Sequence, residues 1–152
     1  MATAAKSVAT PARTEAAHRT SLTEWILRAL VSAHVVAILG QPVFAGVYLS
    51  GDYDGLGWHA AGANAVTSLG YLQVVAAIAV WIRLRQAGPF LATMAVVAAE
   101  TVQYFAGMSG ALWLHIPLGV MTVVAVVVQF IAVWRRPLQR RPAEKKKEAD
   151  DA

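Results

Sequence analysis

Two histidines, His59 and His115, are the residues of this sequence best placed to do chemistry. Each stands at the start of a long apolar stretch, 59–82 and 112–134, just after a glycine-bearing turn. Neutral imidazole is a good iron ligand, and histidines that face one another across a helical bundle are a common way to hold a haem. Residues three, four and seven positions on share a histidine's helical face. Below His59 these are Gly62, Ala63 and Val66, followed by Gly70; below His115 they are Leu118, Gly119 and Thr122. Small and apolar side chains there leave room for a flat macrocycle. The plainer reading makes each histidine an interfacial polar residue that caps its helix.

A second constellation lies deeper. His34 sits inside the first apolar stretch and Glu100 inside the third, and a helical rise of about 1.5 Å per residue brings them to nearly one level. Gln41 shares a face with His34, and Gln103 with Glu100. An isolated charge away from water is costly, so a buried glutamate is expected to be protonated or paired. The functional reading is a proton-handling site or a contact to a polar ligand group. The structural one is a clamp between helices, and His34 is also an alternative iron ligand. Asp52 and Asp54, in SGDYDGLGWH, either join His59 and His115 in a mixed nitrogen and oxygen metal site or bond their own turn, and the turn is favoured. Pro42 frees the carbonyl of Ile38 and is expected to kink the first helix; Pro117 suggests that regular helix begins beside it. His18 carries no assignment. With no cysteine among the 152 residues, thiolate metal sites, disulfides and thiol catalysis are excluded.

The elements that must position these residues are membrane spans. A bilayer core of about 30 Å needs about 20 apolar residues in a helix. Four segments meet that length, at about 25–49, 59–82, 89–107 and 112–134, separated by SGDYDGLG, RQAGP and GMSG. Short connections make sequential helices antiparallel neighbours, so the expected fold is all-α, a four-transmembrane-helix up-down-up-down antiparallel bundle. Small residues such as Ala37, Gly40, Gly62, Gly70 and Gly119 permit close helix approach. No residue-level repeat between the halves is visible.

Orientation follows from charge. All 13 Lys and Arg residues fall in the N-terminal segment or the first turn of the first span (Arg28), the second connection or the C-terminal tail, and none in the first or third connection. The positive-inside rule then puts both termini on the cytoplasmic side of a plasma (inner) membrane. Trp25, Trp58, Trp81, Trp113 and Trp134 all stand near an expected boundary, as an aromatic belt should. Residues 1–24 read as a disordered cytoplasmic segment without the apolar core of a cleavable signal, and 135–152 as a basic then acidic cytoplasmic tail. The net charge of +4 lies at span ends and forms no face for nucleic acid. The expected partners are the bilayer and a redox or membrane-complex protein.

With a histidine near the outer start of both the second and the fourth helix, the chain resembles one four-helix half of haem A synthase and related membrane b-type cytochromes. The resemblance covers about 25–134, and LHIPLG, at Leu114 to Gly119, looks like the ligand-bearing start of such a fourth helix. It implies haem b with His59 and His115 as iron ligands, beside Gly62, Ala63, Val66 and Gly119. The chain is a single half, Ala60 follows His59 where the family has an arginine, and no glutamate precedes His59 in its helix. The synthase's oxygenating activity is therefore not carried over. The AGVYLSGDYDGLGWH and HIPLG segments also look like those of small four-helix membrane proteins without assigned activity. No phosphate loop, HExxH or nucleophile elbow is present, so enzymatic activity is not expected. The leading expectation is electron transfer or haem handling. Its alternatives are a cofactor-free accessory or assembly subunit, and a small proton-coupled channel or carrier using His34 and Glu100.

Overall fold

The computed structural model describes residues 21–136 and Leu138; the readings of 1–20, His18 and most of the tail lie outside them. Four helices follow in order: α1 (Leu22–Leu49), α2 (Asp54–Leu84), α3 (Ala87–Met108) and α4 (Leu112–Arg135). Each is long and apolar enough to cross a membrane. Even α3, at 22 residues, extends about 33 Å.

The helix starts differ from expectation for local reasons. Ser21 caps α1 by accepting the Glu24 N–H at 3.3 Å, and Ser21 with Glu24 has the spacing of a capping box. α2 begins at Asp54, five residues before His59, with the aspartate at the positive end of the helix dipole. Gly55 permits that early start, since a Cβ there would lie 2.5 Å from the Tyr48 nitrogen. α4 begins at Leu112, and Pro117 lies inside it rather than at its first position. Neither histidine opens its helix, and the expectation that Pro117 marks the start of regular helix is corrected. The sharp turns use Gly51 at φ 98° and Gly110 at φ 71°, left-handed conformations that side chains disfavour.

Each helix packs on its sequence neighbours and α1 closes on α4, while the diagonal pairs α1–α3 and α2–α4 do not touch through their backbones. This is the all-α up-down-up-down bundle. One end carries the turns at 50–53 and 109–111 and is called here the histidine end; the other carries Arg85 and Gln86 and is the basic end. The polarity is that of a membrane protein. Leu39, Val75, Val120 and Ile116 are exposed, whereas His34, Gln73, Thr93, Glu100, Thr122 and Gln129 are buried. Polar groups without water must find partners inside the bundle.

Two apolar clusters hold the axis. One, toward the basic end, is built on Leu27, Val31, Ala77, Val80 and Val133. The other, nearer the histidine end, is Ile38, Val66, Val96 and Val126. At the basic end Arg28 pairs with Glu24 at 2.9 Å and lies 5.7 Å from the Trp25 ring and 5.3 Å from the Trp134 ring. The Leu138 N–H donates to the same Glu24 carboxylate at 3.2 Å. This joins the start of α1 to the end of α4.

Candidate functional site

His59 and His115 meet across the α2–α4 diagonal, with ring centroids 5.9 Å apart and planes at 78°. Each ring is held in the same way. His59 Nδ1 donates to the Gln41 carbonyl at 3.1 Å, and His115 Nδ1 donates to the Gln103 carbonyl at 2.9 Å. A carbonyl oxygen only accepts, so the hydrogen sits on Nδ1 and the Nε2 lone pair is left available. That is the arrangement in which metal-ligating histidines are oriented by a second partner. Close approach of His115 to α3 needs Gly107, where a Cβ would fall 2.9 Å from both Cε1 and Nδ1 of the ring.

Two glycine shelves lie beside the pair. A Cβ on Gly62 would lie 2.1 Å from Gln41 Nε2, and one on Gly119 would lie 2.7 Å from Gln103 Nε2. The room expected beside these glycines for a macrocycle is filled by the two glutamine amides. Gln103 Oε1 accepts from the Thr122 hydroxyl at 2.8 Å. Both polar atoms of the Gln41 amide are buried without a hydrogen-bond partner. Val66 is buried in the cluster below, and Ala63 is half-buried.

The ring separation can be compared with that of two imidazoles sharing one metal. Metal–imidazole bonds are about 2.0–2.1 Å and a ring nitrogen lies about 1.2 Å from its centroid, so two imidazoles on one metal place their centroids about 6.4 Å apart. The observed 5.9 Å is half an ångström short. Accommodating a macrocycle requires the glutamine amides to leave the glycine shelves, and the unpartnered Gln41 amide gives up no hydrogen bond in doing so.

His34 and Glu100 also come together, across the other diagonal: His34 Nε2 and Glu100 Oε1 are 2.8 Å apart. Gln73 Nε2 bonds His34 Nδ1. Both imidazole nitrogens are thus occupied, and His34 has none left for iron. His34 is 0% exposed, Gln73 1% and Glu100 5%. Gln41 and Gln103, expected to support this pair, belong instead to the histidine tier. The residues the sequence reading missed are Gln73 and Gln129, whose Nε2 donates to Thr93 Oγ1 at 2.7 Å. A signal was present: each glutamine lies fourteen residues beyond a tier histidine, on the same helical face.

That spacing exposes an internal symmetry. A step of 56 residues carries His59 to His115, Val66 to Thr122, Gly70 to Val126, Gln73 to Gln129 and Ala77 to Val133. Every residue after the histidines in that series is buried. A step of 62 carries Val31 to Thr93, His34 to Val96 and Ile38 to Glu100, again all buried, and Gln41 to Gln103. The halves repeat in register while their side chains differ.

Asp52 takes the turn role, its Oδ1 accepting the Asp54 N–H at 3.0 Å. Among the described residues no three His, Asp or Glu side chains gather as a metal site, so the mixed site with Asp52 and Asp54 is not assembled.

Compared with known proteins, the chain matches no family model, no curated protein and no solved structure.

Proposed function

We propose that the protein is a membrane b-type haem protein, serving electron transfer or haem handling, in which His59 and His115 would hold the iron. The observation that carries this is the matched pair of imidazoles, 5.9 Å apart, each with Nδ1 tied to a glutamine carbonyl. Gly62 and Gly119 would flank the macrocycle, with Ala63 and Val66 below, and the freed Gln41 and Gln103 amides are donors for its polar edge. A haem so held supplies one-electron exchange at its iron. The chain's own residues fix the ligand tautomer, orient the rings and exclude water from below through the apolar layer of Ile38, Val66, Val96 and Val126. By the positive-inside rule the histidine end faces away from the cytoplasm, in the plasma (inner) membrane, with both termini inside.

The direct edge-to-face contact of the imidazoles favours a second reading, a cofactor-free accessory subunit in which the rings simply pack. A channel or carrier is less well supported, because apolar layers lie on both sides of the His34–Glu100 pair. An absorption spectrum separates the first two. Protein purified in mild detergent from haem-replete cells should show a Soret band that His59→Ala or His115→Ala abolishes and His34→Gln retains. A colourless wild-type preparation overturns the haem reading.

A further inference from the structure

We propose that the lipid-facing side of α2 is a self-association surface that joins two copies of this chain side by side in the membrane. The face lies opposite the buried residues of α2 and away from the histidine tier. Ala61, Asn64, Ser68, Tyr71, Val75 and Ile78 follow one another at alternating steps of three and four residues. All six are exposed, and Tyr71 is 54% so. A repeat of 3.5 residues keeps one seam facing a partner helix at a left-handed crossing of about 20°.

What marks this seam off from an ordinary lipid-facing stripe is its polarity. Trp58 and Trp81 set the levels of the two membrane boundaries on α2. Asn64 lies six residues inside Trp58 and Tyr71 ten residues inside Trp81, about 9 Å and 15 Å along the helix. Both therefore stand within hydrocarbon, where an unsatisfied polar group costs several kcal/mol. The Tyr104 hydroxyl donates to Asn64 Oδ1 at 3.1 Å, and Ser68 returns its hydroxyl to the Asn64 carbonyl at 2.8 Å. The Tyr104 bond fixes the asparagine side chain and leaves its amide NH2 unused, while Ser68 bonds only the backbone. Among the described residues no acceptor meets that NH2, and no partner meets the Tyr71 hydroxyl.

The occupant that satisfies these groups is a second copy. The seam carries no charge, and its amide and hydroxyls both donate and accept, so two identical faces complement one another. Copies inserted in the same direction place Asn64 opposite Asn64 at equal depth without any adjustment. Ala61 lets the backbones approach on the histidine side, where small residues favour close helix contact.

The chain has no cysteine, so single-cysteine crosslinking in native membranes reads the interface cleanly. Ala61→Cys and Ser68→Cys should give a disulfide-linked dimer of twice the chain mass. The yield should exceed by about tenfold that of Ala65→Cys and Leu72→Cys on the flank of α2, or of Val120→Cys on α4. In liposomes at fixed protein-to-lipid ratio, Asn64→Leu should lower the dimer constant about tenfold by energy transfer between labelled chains, as loss of interhelical hydrogen bonds across a two-fold predicts. Equal crosslinking at the flank or on α4 overturns the proposal. So does wild-type protein that stays monomeric in liposomes, or a seam that crosslinks only to a different polypeptide.

Discussion

An alanine in place of Gly70 would put a methyl group where the structure leaves room for a carboxylate. The new Cβ would lie 3.0 Å from Glu100 Oε2, 3.1 Å from Val97 Cγ2 and 3.8 Å from His34 Cε1. The carboxylate must retreat by a few tenths of an ångström, yet its other oxygen is bonded to His34 at 2.8 Å. Overpacking of this kind costs about 1–3 kcal/mol, against a gain of about 1 kcal/mol from exchanging glycine for alanine in a helix. Gly70→Ala is thus expected to destabilise by about 0–2 kcal/mol. Glu100→Ala leaves the His34 Nε2–H buried and unpaired, costing about 1–3 kcal/mol. In that background the methyl added by Gly70→Ala keeps Val97 as its one tight neighbour, with His34 Cε1 at ordinary contact distance, and the propensity gain makes the second change neutral or stabilising. The cycle should show a coupling of about 1–2 kcal/mol. Unfolding by SDS titration in mixed micelles, followed by circular dichroism and tryptophan fluorescence, measures all four corners. Additivity within about 0.5 kcal/mol would refute the claim that Gly70 exists to seat the Glu100 carboxylate.

Two further outcomes follow from the same close contacts. Gly107→Ala would push the His115 ring off the Gln103 carbonyl, because its Cβ lands 2.9 Å from the ring. A weakened or shifted Soret band is expected, while Gly46→Ala, where no atom lies within 4 Å, should leave the spectrum unchanged; equal effects would count against the tautomer-fixing role. Asp52→Ala removes the acceptor for the Asp54 N–H and should cost about 0.5–1.5 kcal/mol without altering metal content. Metal analysis that shows a loss would reinstate Asp52 as a ligand.

The spans and their antiparallel order were legible because length, turn residues and the gaps in basic charge all act at the scale of whole helices. The meeting of His59 with His115 was legible too, since helix order alone puts α2 and α4 on a diagonal and the spacing from each turn sets the level. So was the pairing of His34 with Glu100, from depth. The division of labour among the glutamines was not. Gln41 and Gln103 lie one helical turn or two beyond His34 and Glu100, and sequence spacing put them on one face with that pair. They do share that face, but they lie about 10 Å and 5 Å nearer the histidine end, at the level where their backbone carbonyls meet the histidines of α2 and α4. Pro117 misled because a proline five residues into α4 frees only the Trp113 carbonyl, one bond close to the helix start, and the helix runs on through it. The repeat between the halves stayed hidden because it conserves burial rather than identity: His34 stands where its counterpart is Val96, and Ile38 where its counterpart is Glu100.

That pattern of agreement and departure separates the two polar tiers by physical character. At the histidine end both halves supply the same set: an imidazole, a glutamine carbonyl that takes its hydrogen, and a glycine under the glutamine amide. A ligand lying on the approximate two-fold axis would meet equivalent groups from each side, which is the demand that a metal with two identical axial ligands makes. In the middle of the bundle the symmetry is broken. One half supplies His34 and the other Glu100, and Gly70 replaces the bulk that Val126 provides in the fourth helix. A carboxylate and an imidazole at 2.8 Å satisfy each other as one donor and one acceptor, which two identical groups of either kind do not do as well at a fixed proton count. The apolar layers of Ile38, Val66, Val96 and Val126 on one side and of Val31, Ala77, Val80 and Val133 on the other keep water from competing for that bond. On the proposed reading the symmetric tier receives a ligand from outside the chain, whereas in the asymmetric tier His34 and Glu100 already answer one another, with Glu100 Oε2 and Gln73 Oε1 left buried without a hydrogen-bond partner.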